Sequence, residues 1–396
     1  MMLRYGMVGG GPGAFIGGVH RMAAALDGEW RLVAGAFSAD PAKSRTTGEE
    51  LGLDADRVYG SYEEMAAREA ALPEDERIEA VSIVTPNHLH FPVARAFLEG
   101  GFHVVCDKPL TTTLEDAETL CRIAAERDAV VCVTHNYTGY PMVKEARERV
   151  RGGALGVVRK VVVEYSQGWL ATLLEKTGQK QAAWRTDPAR AGLSSAIGDI
   201  GSHAHHLAHY VTGLEVEELF ADLGTVVEGR ALEDDATVLL RYEGGVRGLL
   251  FASQISTGER NHLRLRVYGS EGGLDWCQER PDRLRLTSPD GDETIVHDGA
   301  PDLSERARAH QRLPGGHPEG FIEAFANLYR NVARMLNARA GRRDAGPFDD
   351  DFPTVEAGAR GVHFILKTVE SGKSGRWVDA RYAPLRRSAP PERTIS

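Results

Sequence analysis

Leu3-Arg4-Tyr5-Gly6-Met7-Val8-Gly9-Gly10-Gly11-Pro12-Gly13-Ala14-Phe15-Ile16-Gly17 opens the chain and decides how its first third is read. A short apolar run feeds a glycine cluster, and apolar residues then recur at helical spacing (Phe15, Val19, Met22, Leu26). Strand, glycine-rich turn and helix in that order set backbone N–H groups and a helix N-terminus against a pyrophosphate. In this reading Gly9 makes the tight turn, and Gly11 lets the backbone approach the phosphates without a Cβ in the way. Ala14 takes the third small position, where helix and strand pack closely, and Phe15 and Ile16 start the helix beside the cofactor. A glycine cluster alone fits an ordinary loop as well. Its place at the chain start, with strand–helix alternation behind it, favours a dinucleotide.

That alternation runs to about residue 138. Trp30 to Phe37 reads as a second buried strand, followed by Asp40 as a helix cap with Pro41 at the first helical position. Ser61-Tyr62-Glu63-Glu64 has the form of a capping box. Ala80 to Val84, Phe102 to Cys106 and Val130 to Val133 are further apolar strands with helical segments between them. Such a pattern predicts a parallel, doubly wound α/β sheet in a domain spanning 1–138.

After about residue 150 the pattern changes to strand-like runs with few helices between them. These are Val157 to Tyr165, Val216 to Val227, Ala236 to Tyr242, Val246 to Ser253, Asn261 to Tyr268 and Arg283 to Leu286. Gly244-Gly245 and Asp290-Gly291 are hairpin turns. The expected second domain, 139–385, is α+β with a mainly antiparallel sheet, and helices return over Gly320 to Leu336 and Thr354 to Ser371. Residues 386–396 read as a tail.

Composition narrows the function classes. The formal charge is −10, and no basic cluster offsets it, which argues against a nucleic-acid partner. No apolar run reaches the roughly twenty residues that span a bilayer. Cys106, Cys121, Cys132 and Cys277 lie far apart without metal-type spacing, so reduced thiols in a cytoplasmic protein are expected. The first strand begins almost at once, leaving no room for a signal peptide.

Ligands of open parallel sheets bind beyond the carboxyl ends of the strands. There the chain carries Thr85-Pro86-Asn87-His88-Leu89-His90, Asp107-Lys108-Pro109 and His135-Asn136-Tyr137. Each alone fits a solvated loop; all three at corresponding positions favour one site. Lys108, directly after a buried strand and before a proline, stands on stiff backbone near the cofactor edge. In the second half, His203, Leu207, Tyr210, Val211 and Leu214 recur at helical spacing, with Asp199 one turn before His203. A carboxylate beside an imidazole orients it as a base for an alcohol proton, although a capped core histidine has the same spacing. His205 and His209 are spaced for a metal, but no glutamate or cysteine completes a ligand set and the histidines fall on different helix faces, so no metal is assigned. Ser194-Ser195 lacks a nucleophile elbow.

The glycine-rich opening, Asp107-Lys108-Pro109 in place of the usual Glu-Lys-Pro, and Gly198-Asp199-Ile200-Gly201-Ser202-His203 together resemble the Gfo/Idh/MocA oxidoreductases, over about residues 3 to 380. The resemblance implies an α/β N-terminal Rossmann domain and an α+β C-terminal domain whose large open sheet roofs the nicotinamide. It implies Lys108, Asp199 and His203 as the catalytic set. Trp184-Arg185 looks like the family's Trp-Arg pair near nicotinamide and sugar, and Gly316-His317-Pro318 resembles a stretch that brings a histidine to substrate. Cofactor contacts are then expected from Gly9, Gly11, Ala14, Phe15, Ile16, Ser38, Lys43, Thr85, Asn87, His90, Asp107, Lys108, Pro109, Asn136, Trp184 and Arg185. Substrate contacts are expected from Lys108, Asn136, Gln167, Arg185, Asp199, His203 and His317.

The expected reaction is oxidation of a ring hydroxyl of a sugar or cyclic polyol. His203 takes the proton, Lys108 polarises the oxygen and Asp199 holds the imidazole, so activity should rise from neutral to mildly alkaline pH. NAD is the expected cofactor, with NADP left open. Ser38-Ala39-Asp40 lacks the usual carboxylate at the strand end, Lys43 and Arg45 would greet a 2′-phosphate, and Asp40 would oppose one. A homodimer or homotetramer through the second domain's sheet is expected. Two other activities share the fold: a glycosidase that uses nicotinamide transiently, and a non-catalytic nicotinamide-sensing regulator.

Overall fold

Five short apolar strands build the first sheet: β1 (Leu3–Gly9), β2 (Trp30–Ala36), β3 (Ala80–Val84), β4 (His103–Cys106) and β5 (Val131–Val133). In the computed structural model, which describes residues 2–383, they pair in the order β2-β1-β3-β4-β5, all parallel. β3 is buried at every position, as expected of a parallel strand covered on both faces. Helices α1 (Phe15–Leu26), α2 (Pro41–Glu50), α3 (Tyr62–Ala70), α4 (His90–Glu99) and α5 (Leu114–Glu126) carry the chain between strands. Their starts follow the sequence: Asp40 accepts from the Ala42 and Lys43 amides and Ser61 from the Glu64 amide. The Glu64 carboxylate returns to the Gly60 amide at 3.0 Å, one residue before the cap.

The second sheet follows α6 (Pro141–Arg151). Its strands are β6 (Val158–Ser166), β7 (Val216–Gly224), β8 (Asp235–Tyr242), β9 (Arg247–Ser253), β10 (His262–Gly269), β11 (Gly273–Cys277), β12 (Arg283–Thr287), β13 (Glu293–His297) and β14 (Val378–Asp379). They order as β13-β12-β11-β10-β6-β9-β8-β7-β14. β6 and β9 run parallel, and the remaining neighbours antiparallel. β11, β13 and β14 are not among the strands expected from sequence; each has five residues or fewer, too short for a clear alternation. Short helices α7 (Lys180–Arg185) and α8 (Pro188–Ala191) and the longer α9 (Ser202–Thr212) lie between β6 and β7. Met142, Val143 and Ala146 of α6 and Ala204, Leu207 and Val211 of α9 share one core with the inward residues Ala236, Val238, Leu240 and Tyr242 of β8.

Packing does not follow chain order at the far end, after α10 (Glu305–Ala309). Phe325, Leu328, Tyr329 and Val332 of α11 (Phe321–Arg339) pack with Leu3, Tyr5, Met7 and Val19, so this late helix covers the first sheet. Along α12 (Val355–Ser374), Ala359 and Val362 enter the first domain's core and Phe364 and Ile365 the second's. None of the described helices is long and apolar enough to cross a membrane. The tail expected over 386–396, and the last two residues of the span expected for the second domain, lie outside the described residues.

Tyr329 is the polar pin of this arrangement. Its hydroxyl lies 2.7 Å from Ser82 Oγ and 2.7 Å from His20 Nδ1, and all three side chains are buried. Its carbonyl accepts from Trp30 Nε1 at 2.9 Å. Tyr329→Phe strands two buried polar atoms without closing any space. It should cost about 1–3 kcal/mol of stability, read as a lowered denaturant midpoint with an unchanged slope; an unchanged midpoint would contradict this role.

Candidate active site

The glycine turn sits where β1 meets α1. Gly9 has φ +88°, and a Cβ there would lie 2.9 Å from Val84 O, so both conformation and space demand glycine. Gly11 N donates to Phe37 O at 3.1 Å, and a Cβ on Gly11 would meet that oxygen at 2.7 Å. The glycine requirement at 11 therefore already follows from the end of β2. Close packing of helix on turn occurs at Gly17, whose Cβ would lie 2.4 Å from Gly10 Cα. It does not occur at Ala14, which is the partly exposed N-cap of α1. Phe15 is exposed and Ile16 partly buried. No side chain caps α1, and no acidic residue stands in its first turn. Free amides at a helix start suit a pyrophosphate.

At the ends of β3 and β4, His90 faces two backbone carbonyls, Thr85 O at 2.9 Å and Pro109 O at 2.7 Å, and so ties the two loops together. The amide of Asn87 donates to Ala191 O of α8 at 3.0 Å and is thereby committed to the protein. Asp107 turns inward: one carboxylate oxygen accepts from Thr134 Oγ1 at 2.7 Å and lies 3.0 Å from His20 Nε2. Three buried polar atoms at the strand ends have no partner among the described residues, Thr85 Oγ1, His135 Nδ1 and Asn136 Nδ2. Orphaned polar atoms at the strand ends, together with an uncapped start of α1, fit a bound dinucleotide. Ser38 accepts from the Asp40 amide at 3.1 Å, and Lys43 is exposed with its Nζ 3.8 Å from Asp40 Oδ2.

Lys108 Nζ donates to Asp199 Oδ1 at 2.8 Å and also to the Asp199 carbonyl. Arg185 Nε reaches the same Oδ1 at 3.3 Å, and Gln254 Nε2 donates to Oδ2 at 2.9 Å. Burial opposes ionisation of Asp199, and the Lys108 and Arg185 charges outweigh it, holding the carboxyl well below the usual carboxylate range. Asp199 was expected to hold the His203 imidazole; no such hydrogen bond exists among the described residues. The reason is local. Ile197–Gly201 is a π turn, and its wider winding removes residue 199 from the i, i+4 register with 203. Glu233 sets that turn, accepting from Ser194 Oγ at 2.5 Å and from the Ser195 and Ile197 amides at 3.0 and 3.2 Å.

His203 stands in a box of rings. Tyr137 and His135 meet it edge-on with centroids 4.8 and 5.3 Å away, and Tyr165 lies at 6.3 Å. Its Nδ1 is buried without a partner. Burial first, then the Lys108 ammonium, hold the imidazole well below its ordinary pKa of 6.5 against the opposing pull of Asp199. A pKa moved in that direction works against the expected rise of activity from neutral to alkaline pH. His135 stacks on His206 at 4.3 Å, and His205 on Phe364 at 4.1 Å, so these histidines serve as packing rings. Among the described residues no group of three or more His, Cys, Asp or Glu is arranged to hold a metal.

The remaining expected residues divide. Arg185 lies over the Trp184 ring at 4.2 Å and donates to Gln181 Oε1 at 2.6 Å, so this pair does reach the Lys108–Asp199 centre. Gln167 has both ends of its amide taken, donating to Asn261 at 2.7 Å and accepting from Trp169 Nε1 at 2.9 Å. His317 is exposed, its Nδ1 3.1 Å from Pro314 O, and makes no contact with the Lys108–Asp199–His203 group among the described residues. Sequence reasoning missed Gln254, Glu233 and the Tyr137–Tyr165–Asn261 cluster, in which the two hydroxyls are 2.5 Å apart. The one available signal for these residues is their place just before or after an expected strand, Glu233 ahead of Ala236 to Tyr242, Gln254 after Val246 to Ser253 and Asn261 at the start of its own.

Comparison with known proteins gives the family and the fold. Residues 3–148 match the family model of oxidoreductases with an NAD-binding Rossmann fold, and residues 143–275 match the GFO/IDH/MocA C-terminal domain. The uncharacterized oxidoreductase YfiI of Bacillus subtilis is 35% identical over 386 residues, 95% of this chain and 96% of its own. An inositol dehydrogenase homologue of Azotobacter vinelandii in complex with NAD+ superposes with a TM-score of 0.91 at 37% identity, covering 96% of this chain and 97% of that one. A structure of that homologue with NADH and myo-inositol gives 0.88 at the same identity, over 96% and 98%. Levoglucosan dehydrogenase of Pseudarthrobacter phenanthrenivorans is 28% identical over 307 residues, 72% of this chain and 76% of its own. The chain belongs to the Gfo/Idh/MocA family of oxidoreductases, and its first domain is an NAD-binding Rossmann domain.

Proposed function

We propose that this protein oxidises a ring hydroxyl of a sugar or cyclic polyol, with Lys108, Asp199 and His203 as its catalytic residues and NAD preferred to NADP. The observation that carries the reading is the Lys108–Asp199 ion pair together with a buried His203 whose Nδ1 has no partner among the described residues. Bound NAD supplies the hydride acceptor. Lys108, giving two of its three N–H bonds to Asp199 before substrate arrives, has the third for the carbinol oxygen and stabilises negative charge there. His203 makes no hydrogen bond to a described residue, which leaves its ring free to take the hydroxyl proton. Asp199, kept ionised by two cations, accepts from a neighbouring hydroxyl and holds Lys108 in line. Asn136, with its unpartnered amide, and Arg185 are the further contacts proposed for cofactor and substrate. Asp40 beside the end of β2 opposes a 2′-phosphate, which supports NAD. All four cysteines are free thiols, which supports a reducing, cytoplasmic setting.

We also propose a homo-oligomer formed through the outer face of the second sheet. Phe220, Leu239, Leu249 and Val162 sit side by side across β7, β8, β9 and β6. Leu239 alone is 44% exposed. An apolar row on an open sheet face needs cover, and a symmetric copy of the same face supplies it.

Four measurements test these readings. A panel of sugars and polyols with NAD, following reduced nicotinamide and sugar release together, should find a substrate oxidised without hydrolysis. On that substrate Lys108→Met and His203→Ala should each lower kcat by about 10²–10⁴-fold; near-normal turnover in both would overturn the assignment. Its kcat/KM should be flat from pH 6.5 to about pH 8, with the acid limb below that range, because a histidine held down by burial protonates only in acid; a rise through neutrality would contradict a depressed His203. Light scattering at micromolar protein should give a dimer or tetramer, and a fully active monomer would overturn the proposed interface.

A further inference from the structure

The glycine turn faces a cation that comes from the second domain. Lys180 opens α7, and its Nζ lies 3.6 Å from the point a Cβ on Gly13 would occupy. Gln179 fixes the start of α7, its Oε1 accepting from the Ala182 amide at 2.7 Å, and so sets where the Lys180 stem leaves the backbone. Among the described residues the Lys180 ammonium makes no ion pair and no hydrogen bond. What it faces is the start of α1, a helix with no side-chain cap and no carboxylate in its first turn. The start of a helix carries a positive partial charge of about half a unit. Lys180 is exposed, so water screens part of its charge, and an anion lying between the ammonium and the helix start suits both.

We infer that Lys180 pairs with the pyrophosphate of bound NAD, closing from the second domain a cradle that the first domain builds from Gly9 to Gly13. The inference rests on the NAD site already described and adds to it a residue that none of the strand-end motifs contains. It also gives α7 a connecting role. One end of this six-residue helix meets the phosphates; at the other, Arg185 stacks on Trp184 and reaches Asp199 Oδ1. Seating the pyrophosphate on Lys180 therefore holds in place the arginine that sits on the catalytic carboxylate.

The test is calorimetric and needs no turnover. ADP-ribose carries the pyrophosphate without the nicotinamide, and adenosine carries neither. Lys180→Ala in the full chain should bind ADP-ribose about tenfold more weakly than wild type, as loss of one charge-assisted contact implies. The salt dependence of binding should become shallower, Lys180→Arg should recover most of the affinity, and adenosine binding should not change. Wild-type affinity for ADP-ribose in Lys180→Ala would overturn the inference, and so would an equal loss for adenosine, which would mean a displaced loop. Failure of the wild-type protein to bind ADP-ribose would overturn the cofactor site itself, a different outcome from either.

Discussion

The ion pair between Lys108 and Asp199 is the constraint on which the site depends. Lys108 stands at the end of β4 in the first domain, and Asp199 on a π turn in the second. Their side chains are each only 16% exposed, so both charges give up much of their hydration. Attraction repays that cost only where geometry is good and the remaining hydrogen-bonding capacity is met. Arg185 and Gln254 meet it on the Asp199 side. Removing either member leaves its partner charge poorly solvated, typically worth about 3–5 kcal/mol in a buried pair. The ion pair is thus also a clamp between the domains.

Both halves of the clamp are held from behind. On the Asp199 side, Glu233 gathers one hydroxyl and two backbone amides of the segment leading into the π turn. Burial pushes its carboxyl up, and those donors pull it back. On the Lys108 side, Asp107 is tied to Thr134 and His20, and His20 to Tyr329 on α11. That chain of contacts explains how a short Asp can stand where the family usually has Glu: its carboxylate serves as an internal anchor for the strand end. α11, more than two hundred residues further along, thereby supports the strand end that carries the lysine.

The rings around His203 do a second job. A histidine proposed to accept a proton at neutral pH needs to be neutral first, and burial among Tyr137, His135 and Tyr165 favours the neutral form together with the Lys108 charge. Burial keeps His135, His205 and His206 neutral in the same way. Each such ring favours the unfolded chain as pH drops below 6.5, by up to about 1.4 kcal/mol per pH unit. The same packing that prepares the base makes the fold sensitive to acid.

Much of this was legible in the residues. Continuous apolar runs, capping residues and the glycine turn dictate a parallel first domain, because each is a local preference of the backbone. Lys108, Asp199 and His203 stood out for the same reason, as polar residues at a strand end or at a short fixed spacing, whereas Trp184-Arg185 was marked only by the family resemblance. Contacts between segments far apart in sequence were not legible. Only the tertiary structure placed β6 parallel to β9, brought α11 onto the first sheet, and gave the Asp199 carboxylate to Lys108 instead of His203. It likewise consumed Gln167 and Asn87 in protein contacts, left His317 outside, and set Lys180 over Gly13. Spacing assumes an ordinary helix, and a π turn breaks that assumption without any mark in composition. Whether a polar side chain is free for a ligand or taken by a neighbour depends on which distant segment packs against it, and local sequence carries no record of that.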